Sequence, residues 1–279
     1  MAYKSLLTVL TDKDLAGTAL DHLVALTEKQ DGHAEALCLG VDRSQTGYYY
    51  AGANAMILQE TITRAQSEAK ELLQIAESTL GKTDLRWSAE EGVVQLPDIG
   101  RHVAYVARFA DLVVLPQPYG PDRGAELEPV VEAALFEGRA PVLIVPEKAT
   151  PVPAPERIVV AWNESREALA AIRAAMPFLV AAKSVRICVI DPPEHGPERS
   201  DPGGMLSQML ARQGVNCEID VLSKTLPRVS DVLLRHVTDT DAQMLVMGAY
   251  GHSRFREAIL GGATRNMLEQ APVQVLMAH

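Results

Sequence analysis

The chain contains two copies of one pattern, and this duplication limits its fold more than any single motif does. Asp111–Leu115 runs into Tyr119-Gly120 and the segment closes with Ala140–Val145, while Met244–Met247 runs into Tyr250-Gly251 and closes with Ala271–Leu276. Gly120 and Gly251 stand 131 positions apart, and so do Pro141 and Pro272. The openings also correspond, Leu6–Asp12 against Ile158–Asn163, but Asp12 and Asn163 are 151 positions apart. The first copy therefore carries about 20 extra residues, expected around Tyr48–Tyr50 and Gly52–Met56 near the start of a long helix. Between the copies, Pro151, Pro153 and Pro155 exclude a helix or a central strand and predict an extended linker. The domains expected are 1–148 and 157–279, joined by a Pro-rich linker at 149–156.

Each copy alternates short β-branched runs with helical stretches. In the second, the pattern predicts strands near 157–162, 185–190, 216–222, 244–247 and 273–277. Helices are expected near 165–180, 203–213, 228–238 and 263–270, with Pro177 kinking or ending the first and Gly214 capping the second. Apolar strands alternating with helices imply parallel sheets covered on both faces. The fold class expected is α/β, two tandem doubly wound domains, each a five-stranded parallel sheet of order 3-2-1-4-5 flanked by helices. Such sheets bind ligands beyond the carboxyl ends of their strands, where the strand order reverses. Here that crevice lies between the first and fourth strands, which brings together the loops after Asn163 and Gly248.

Composition narrows the function classes. The net charge of −10 disfavours binding to nucleic acid or anionic membranes, and 5% aromatic residues argue against stacking platforms for bases or sugars. Cys38, Cys188 and Cys217 form no CxxC pair, so neither a disulfide framework nor a zinc site is indicated, and Cys38 and Cys188 are expected in the core. The N-terminal apolar run is too short for a signal peptide, and no run of 18 apolar residues occurs, so a cytoplasmic location is expected.

The segment Gly248–Thr264 has the form G-x2-G-x9-G-G-x-T. Glycines after a strand let backbone approach a ligand closely, and a helix N-terminus offers unpaired N–H groups and a positive dipole end suited to phosphate. Glycines at a strand end are also ordinary turn residues. Asn163 and Ser165 read equally as N-caps of the following helix. His252–Arg254 reads as a solvated helix start, His195 as a surface turn, and Asp239–Asp241 as a loop. No P-loop, nucleophile elbow or paired nucleophile and base is present.

Taken together, Val159–Ser165, the motif at 248–264 and the ending Ala271–Leu276 resemble the universal stress protein family. The first half resembles it more weakly, so the chain looks like a tandem member. The resemblance implies an ATP or related adenine-nucleotide site in the C-terminal domain. Gly248, Gly251 and Gly261 would line the phosphates through their backbone. Gly262 stands where binders usually have Ser or Thr, and Ala263 and Thr264 match the following backbone and hydroxyl contacts. Asn163 stands where binders usually have Asp near the adenosine, preceded by Ala161 and Trp162. Val189 and Met247 match apolar positions near adenine and ribose, and Tyr250 a variable position between two glycines. Magnesium is expected only as the nucleotide's counter-ion.

At the repeat offset, the first half has Gln117 for Gly248, Val130 and Val131 for Gly261 and Gly262, and Ala133 for Thr264. Pro116, Pro118 and Pro121 supply no N–H donors, so this half is read as having lost its phosphate loop. The leading expectation is a stress-response protein that holds adenine nucleotide without substantial turnover. An interaction module of the same family that binds no nucleotide is the alternative, and a nucleotide hydrolase ranks third. The resemblance further implies an internal pseudo-dimer through the last strands, Val142–Val145 and Val273–Leu276, with a homodimer as a further expectation.

Overall fold

A computed structural model describes residues 2–43, 54–121, 123–147, 149–192, 201–249 and 263–279. It divides into two compact units, a first of Tyr3–Ala140 and a second containing Pro141–His279. The insertion expected at Tyr48–Tyr50 and around Gly52 lies outside the described residues, directly before a 27-residue helix.

The first unit runs β1 (Ser5–Leu10), α1 (Lys13–Gln30), β2 (His33–Asp42), α2 (Asn54–Leu80), β3 (Arg86–Gln95), α3 (Ile99–Ala107), β4 (Leu112–Pro116) and α4 (Leu127–Glu132). β1 pairs in parallel with β2, from Ser5↔His33 to Leu10↔Cys38, and with β4, from Leu6↔Leu112 to Thr8↔Val114. With β3 parallel to β2, the order is β3-β2-β1-β4. Helices on both faces explain why β1 and β4 are almost continuously apolar and buried. β3 instead exposes Arg86, Glu90 and Glu91, charges that protect an edge strand from further pairing. α1 begins where Asp12 Oδ1 accepts from the Asp14 amide at 2.8 Å, which satisfies one of the helix's unpaired donors.

The second unit contains β5 (Val142–Val145), β6 (Arg157–Ala161), α5 (Arg166–Ala174), α6 (Met176–Ala181), β7 (Ser184–Ile190), α7 (Gly204–Arg212), β8 (Cys217–Leu222), α8 (Val229–Asp239), β9 (Met244–Gly248), α9 (Ala263–Gln270) and β10 (Gln274–Ala278). Five parallel strands stand in the order β8-β7-β6-β9-β10, the 3-2-1-4-5 arrangement expected from the sequence. The helix expected over 165–180 is two helices, because Pro177 removes an amide donor one residue into the second.

β5 follows β4 in the sheet order, the fifth place that the sequence assigns to the last strand of the first repeat, and it pairs antiparallel with β10 from Val142↔Met277 to Ile144↔Val275. The proline-rich stretch lies inside the second unit as irregular chain. The carbonyl of Val152 accepts from Gln274 Nε2 at 2.8 Å, and the Glu156 amide donates to Gln243 Oε1 at 2.8 Å. The first of these bonds supplies a partner for the buried Gln274 side chain.

Cys38 and Cys188 are buried as expected, and burial, with smaller help from nearby carboxylates, pushes each thiol up to about 12. Both are therefore protonated near neutral pH and poor nucleophiles.

Candidate functional site: the strand-order reversal of the second unit

β6 and β9 are hydrogen-bonded neighbours from Ile158↔Met244 to Val160↔Val246 and then separate. β6 continues along β7 instead, through Ala161↔Cys188 and the Trp162 amide bonded to the Cys188 carbonyl at 2.9 Å. The carboxyl end of β6 thus lies between Val189 on one neighbouring strand and Met247 on the other. Val189 and Met247 are buried, Ala161 and Trp162 are partly exposed, and Asn163 is exposed.

The turn out of β6 is built by its own polar groups. Asn163 Oδ1 accepts from the Ser165 amide at 3.2 Å, Glu164 adopts a left-handed conformation at φ 61°, and Ser165 Oγ accepts from the Ala168 amide at 3.0 Å. Ser165 is therefore the N-cap of α5, one of the two readings the sequence allowed. Asn163 uses one oxygen in the turn and retains its amide N–H groups for other partners.

Trp162 holds a feature the sequence did not single out. Its indole Nε1 is buried, and no described residue accepts its hydrogen. A buried donor left unpaired costs about 1–3 kcal/mol, so such groups mark places where an acceptor is missing from view.

Gly248 has a packing role that its pattern does not show. A side chain there would meet the backbone of α5, with the carbonyl carbon of Glu167 at 2.6 Å and Ala168 Cα at 2.9 Å from the added Cβ. The missing side chain lets the first turn of α5 lie against β9. Gly248→Ala should therefore lower stability by about 1–3 kcal/mol or more, the cost of overpacking. A urea melt followed by Trp162 fluorescence in a Trp87→Phe background would show this, and an unchanged midpoint would mean the contact is not close.

Thr264 is buried in the first turn of α9. The helix is held by Asn266, whose Nδ2 donates to Ser230 Oγ at 2.9 Å and to Asp231 Oδ1 at 3.2 Å, while its Oδ1 accepts from Arg228 at 3.1 Å. Ala263 opens the same helix; Tyr250, Gly251, Gly261 and Gly262 lie outside the described residues. The structure thus places Ala161, Trp162, Asn163, Val189 and Met247 around one strand end. In the first half, Val130, Val131 and Ala133 are buried apolar residues. Among the described residues, no group of three or more His, Cys, Asp or Glu is arranged to hold a metal ion. Nor is any described helix long and apolar enough to cross a membrane.

Residues 155–279 match the model of the universal stress protein family. The protein "Universal stress protein Slr1230" of Synechocystis sp. (strain ATCC 27184 / PCC 6803 / Kazusa) is 26% identical over 98 residues, covering 35% of this chain and 33% of that protein. The chain thus spans about a third of the length of the curated relative it matches. A universal stress protein from Archaeoglobus fulgidus DSM 4304 has a similar structure, with a TM-score of 0.71 at 15% identity over 98% of this chain and 96% of that one. A protein assigned to the same family in Pseudomonas aeruginosa UCBPP-PA14 follows, with a TM-score of 0.61 at 16% identity over 99% and 93% of the two chains. At these identities the structural likeness establishes the fold.

Proposed function

We propose, from the match of residues 155–279 to the universal stress protein family, that the strand end beyond β6 holds an adenine nucleotide and that the chain acts in stress response as a nucleotide-binding protein without substantial turnover. The observation that carries this reading is the buried, unpaired indole N–H of Trp162 beside the exposed amide of Asn163. A base or ribose offers acceptors to both, and Val189 and Met247 supply apolar contact. The phosphates would face the segment that leads into Thr264, with the backbone of Gly248, Gly251, Gly261 and Ala263 lining them and magnesium as counter-ion only. ATP, AMP and their relatives share this chemistry.

Backbone contacts to phosphate stabilise the bound ground state, whereas catalysis needs contacts that strengthen in the transition state. Turnover of ATP is therefore expected to fall below the roughly 1–1,000 per second typical of enzymes. The test begins with nucleotide released from denatured, freshly purified protein. Calorimetry of AMP and ATP against wild type and Trp162→Phe should then show about tenfold weaker binding for the variant, the equivalent of one lost hydrogen bond. Equal affinities would overturn this site.

The alternative, a protein-interaction module of the same family, draws on Tyr105 and Phe109 of the first unit. They are 64% and 70% exposed, and their rings meet edge to face at 6.1 Å. Absence of released nucleotide together with no measurable affinity would favour it. The antiparallel pairing of Val142–Val145 with β10 supports a further proposal, that the two repeats associate through their last strands.

A further inference from the structure

The first unit, without the glycine loop, contains a cavity of about 330 Å³ at the carboxyl ends of β1 and β2. Its size falls at the lower end of small-molecule sites, and it lies where parallel sheets place ligands. Thr11 and Asp12 line it from the end of β1, Arg43 from the end of β2, Glu126 from just before α4, and Glu68 and Glu71 from α2.

The charges in its wall are unevenly used. Arg43 reaches Glu126 Oε1 at 2.6 Å and Glu68 at 3.1 Å, Arg64 also reaches Glu68 at 3.1 Å, and Lys13 reaches Glu71 at 3.3 Å. Every cation in the lining is thus engaged with a carboxylate, and the lining carries five carboxylates against three basic groups. Two acceptors are left over. The Glu126 side chain is 2% exposed, and its Oε2 is buried with no described donor. Thr11 Oγ1 is likewise buried and without a described partner, in a residue that is 7% exposed. A buried carboxylate oxygen left unpaired is costly, and its cost is offset when a donor arrives.

We propose that this cavity binds a small organic cation bearing N–H donors, an alkylammonium or guanidinium compound. An anion such as phosphate would face surplus carboxylates and cations already paired. A cation would complete Glu126 and Thr11 and balance the excess negative charge. The two repeats would then bind ligands of opposite charge at equivalent strand ends.

Agmatine, which carries both a guanidinium and an ammonium group, is the probe, titrated calorimetrically into the full-length protein with AMP in parallel. Saturable binding is expected, with no displacement by AMP. Glu126→Gln and Thr11→Val should each weaken binding about tenfold. Glu126→Gln also loosens the Arg43 pair, so Thr11→Val, which keeps the side-chain shape, is the deciding variant, with a circular-dichroism melt to confirm its fold. Absence of saturable agmatine binding, equal affinity in a folded Thr11→Val variant, or displacement of agmatine by AMP would each overturn the proposal. None of these outcomes bears on nucleotide binding in the second unit.

Discussion

A Gly40→Ala variant is expected to lose the folded first unit while the second remains intact. β2 crosses α2 at Gly40, where an added methyl would collide with the carbonyl of Ala65, its carbon at 2.6 Å, and press on the Ala69 amide at 3.1 Å. The obstruction is backbone of a long helix and cannot rotate away. Ala65, Ala69, Leu72, Ala76 and Leu80, at helical spacing, bury the same face of α2, so the helix cannot lift without exposing them. Overpacking ordinarily costs about 1–3 kcal/mol, and a collision with rigid backbone should exceed that range. Against a domain stability of roughly 5–15 kcal/mol, the loss is large. The chain has two tryptophans, Trp87 in the first unit and Trp162 in the second. Urea unfolding followed by Trp87 fluorescence in a Trp162→Phe background isolates the effect. A midpoint equal to that of the parent would show that β2 and α2 are not packed this closely.

The second large effect concerns β10. A fragment of 156–279, which nearly coincides with the matched family domain, lacks β5 and leaves the outer edge of β10 without its antiparallel partner. All five residues of β10 are buried, four of them apolar, and an unpaired strand of that kind recruits another strand. The fragment is expected to form dimers through β10, with the second copy standing in for β5. Sedimentation velocity across a concentration series would reveal them. A well-folded fragment that stays monomeric at high concentration would refute both this expectation and the proposed association of the repeats through their last strands.

Local features were legible because local chemistry decides them. Alternating apolar runs and helical stretches predicted the five parallel strands of the second unit to within a residue at every end, and the duplication with its parallel-sheet logic predicted the order 3-2-1-4-5. Ser165 as an N-cap and Pro177 as a helix break follow from the hydrogen-bonding capacity of each residue and its immediate neighbours.

Other features required the folded chain. The pairing of β5 with β10 joins residues more than a hundred positions apart; the family resemblance pointed to these two last strands, but nothing in either apolar run sets their antiparallel register. Gly248 sits in a glycine pattern that suggests phosphate, but what its missing side chain accommodates is the first turn of α5, about 80 residues earlier. The unpaired indole of Trp162 and the spare oxygens of Thr11 and Glu126 cannot be recognised by residue type, because whether a polar atom has a partner depends on what the tertiary structure places within 3.5 Å of it. Periodicity and capping act over a few residues and are written in order along the chain, whereas close approach and polar satisfaction are set by distances in space that sequence spacing does not encode.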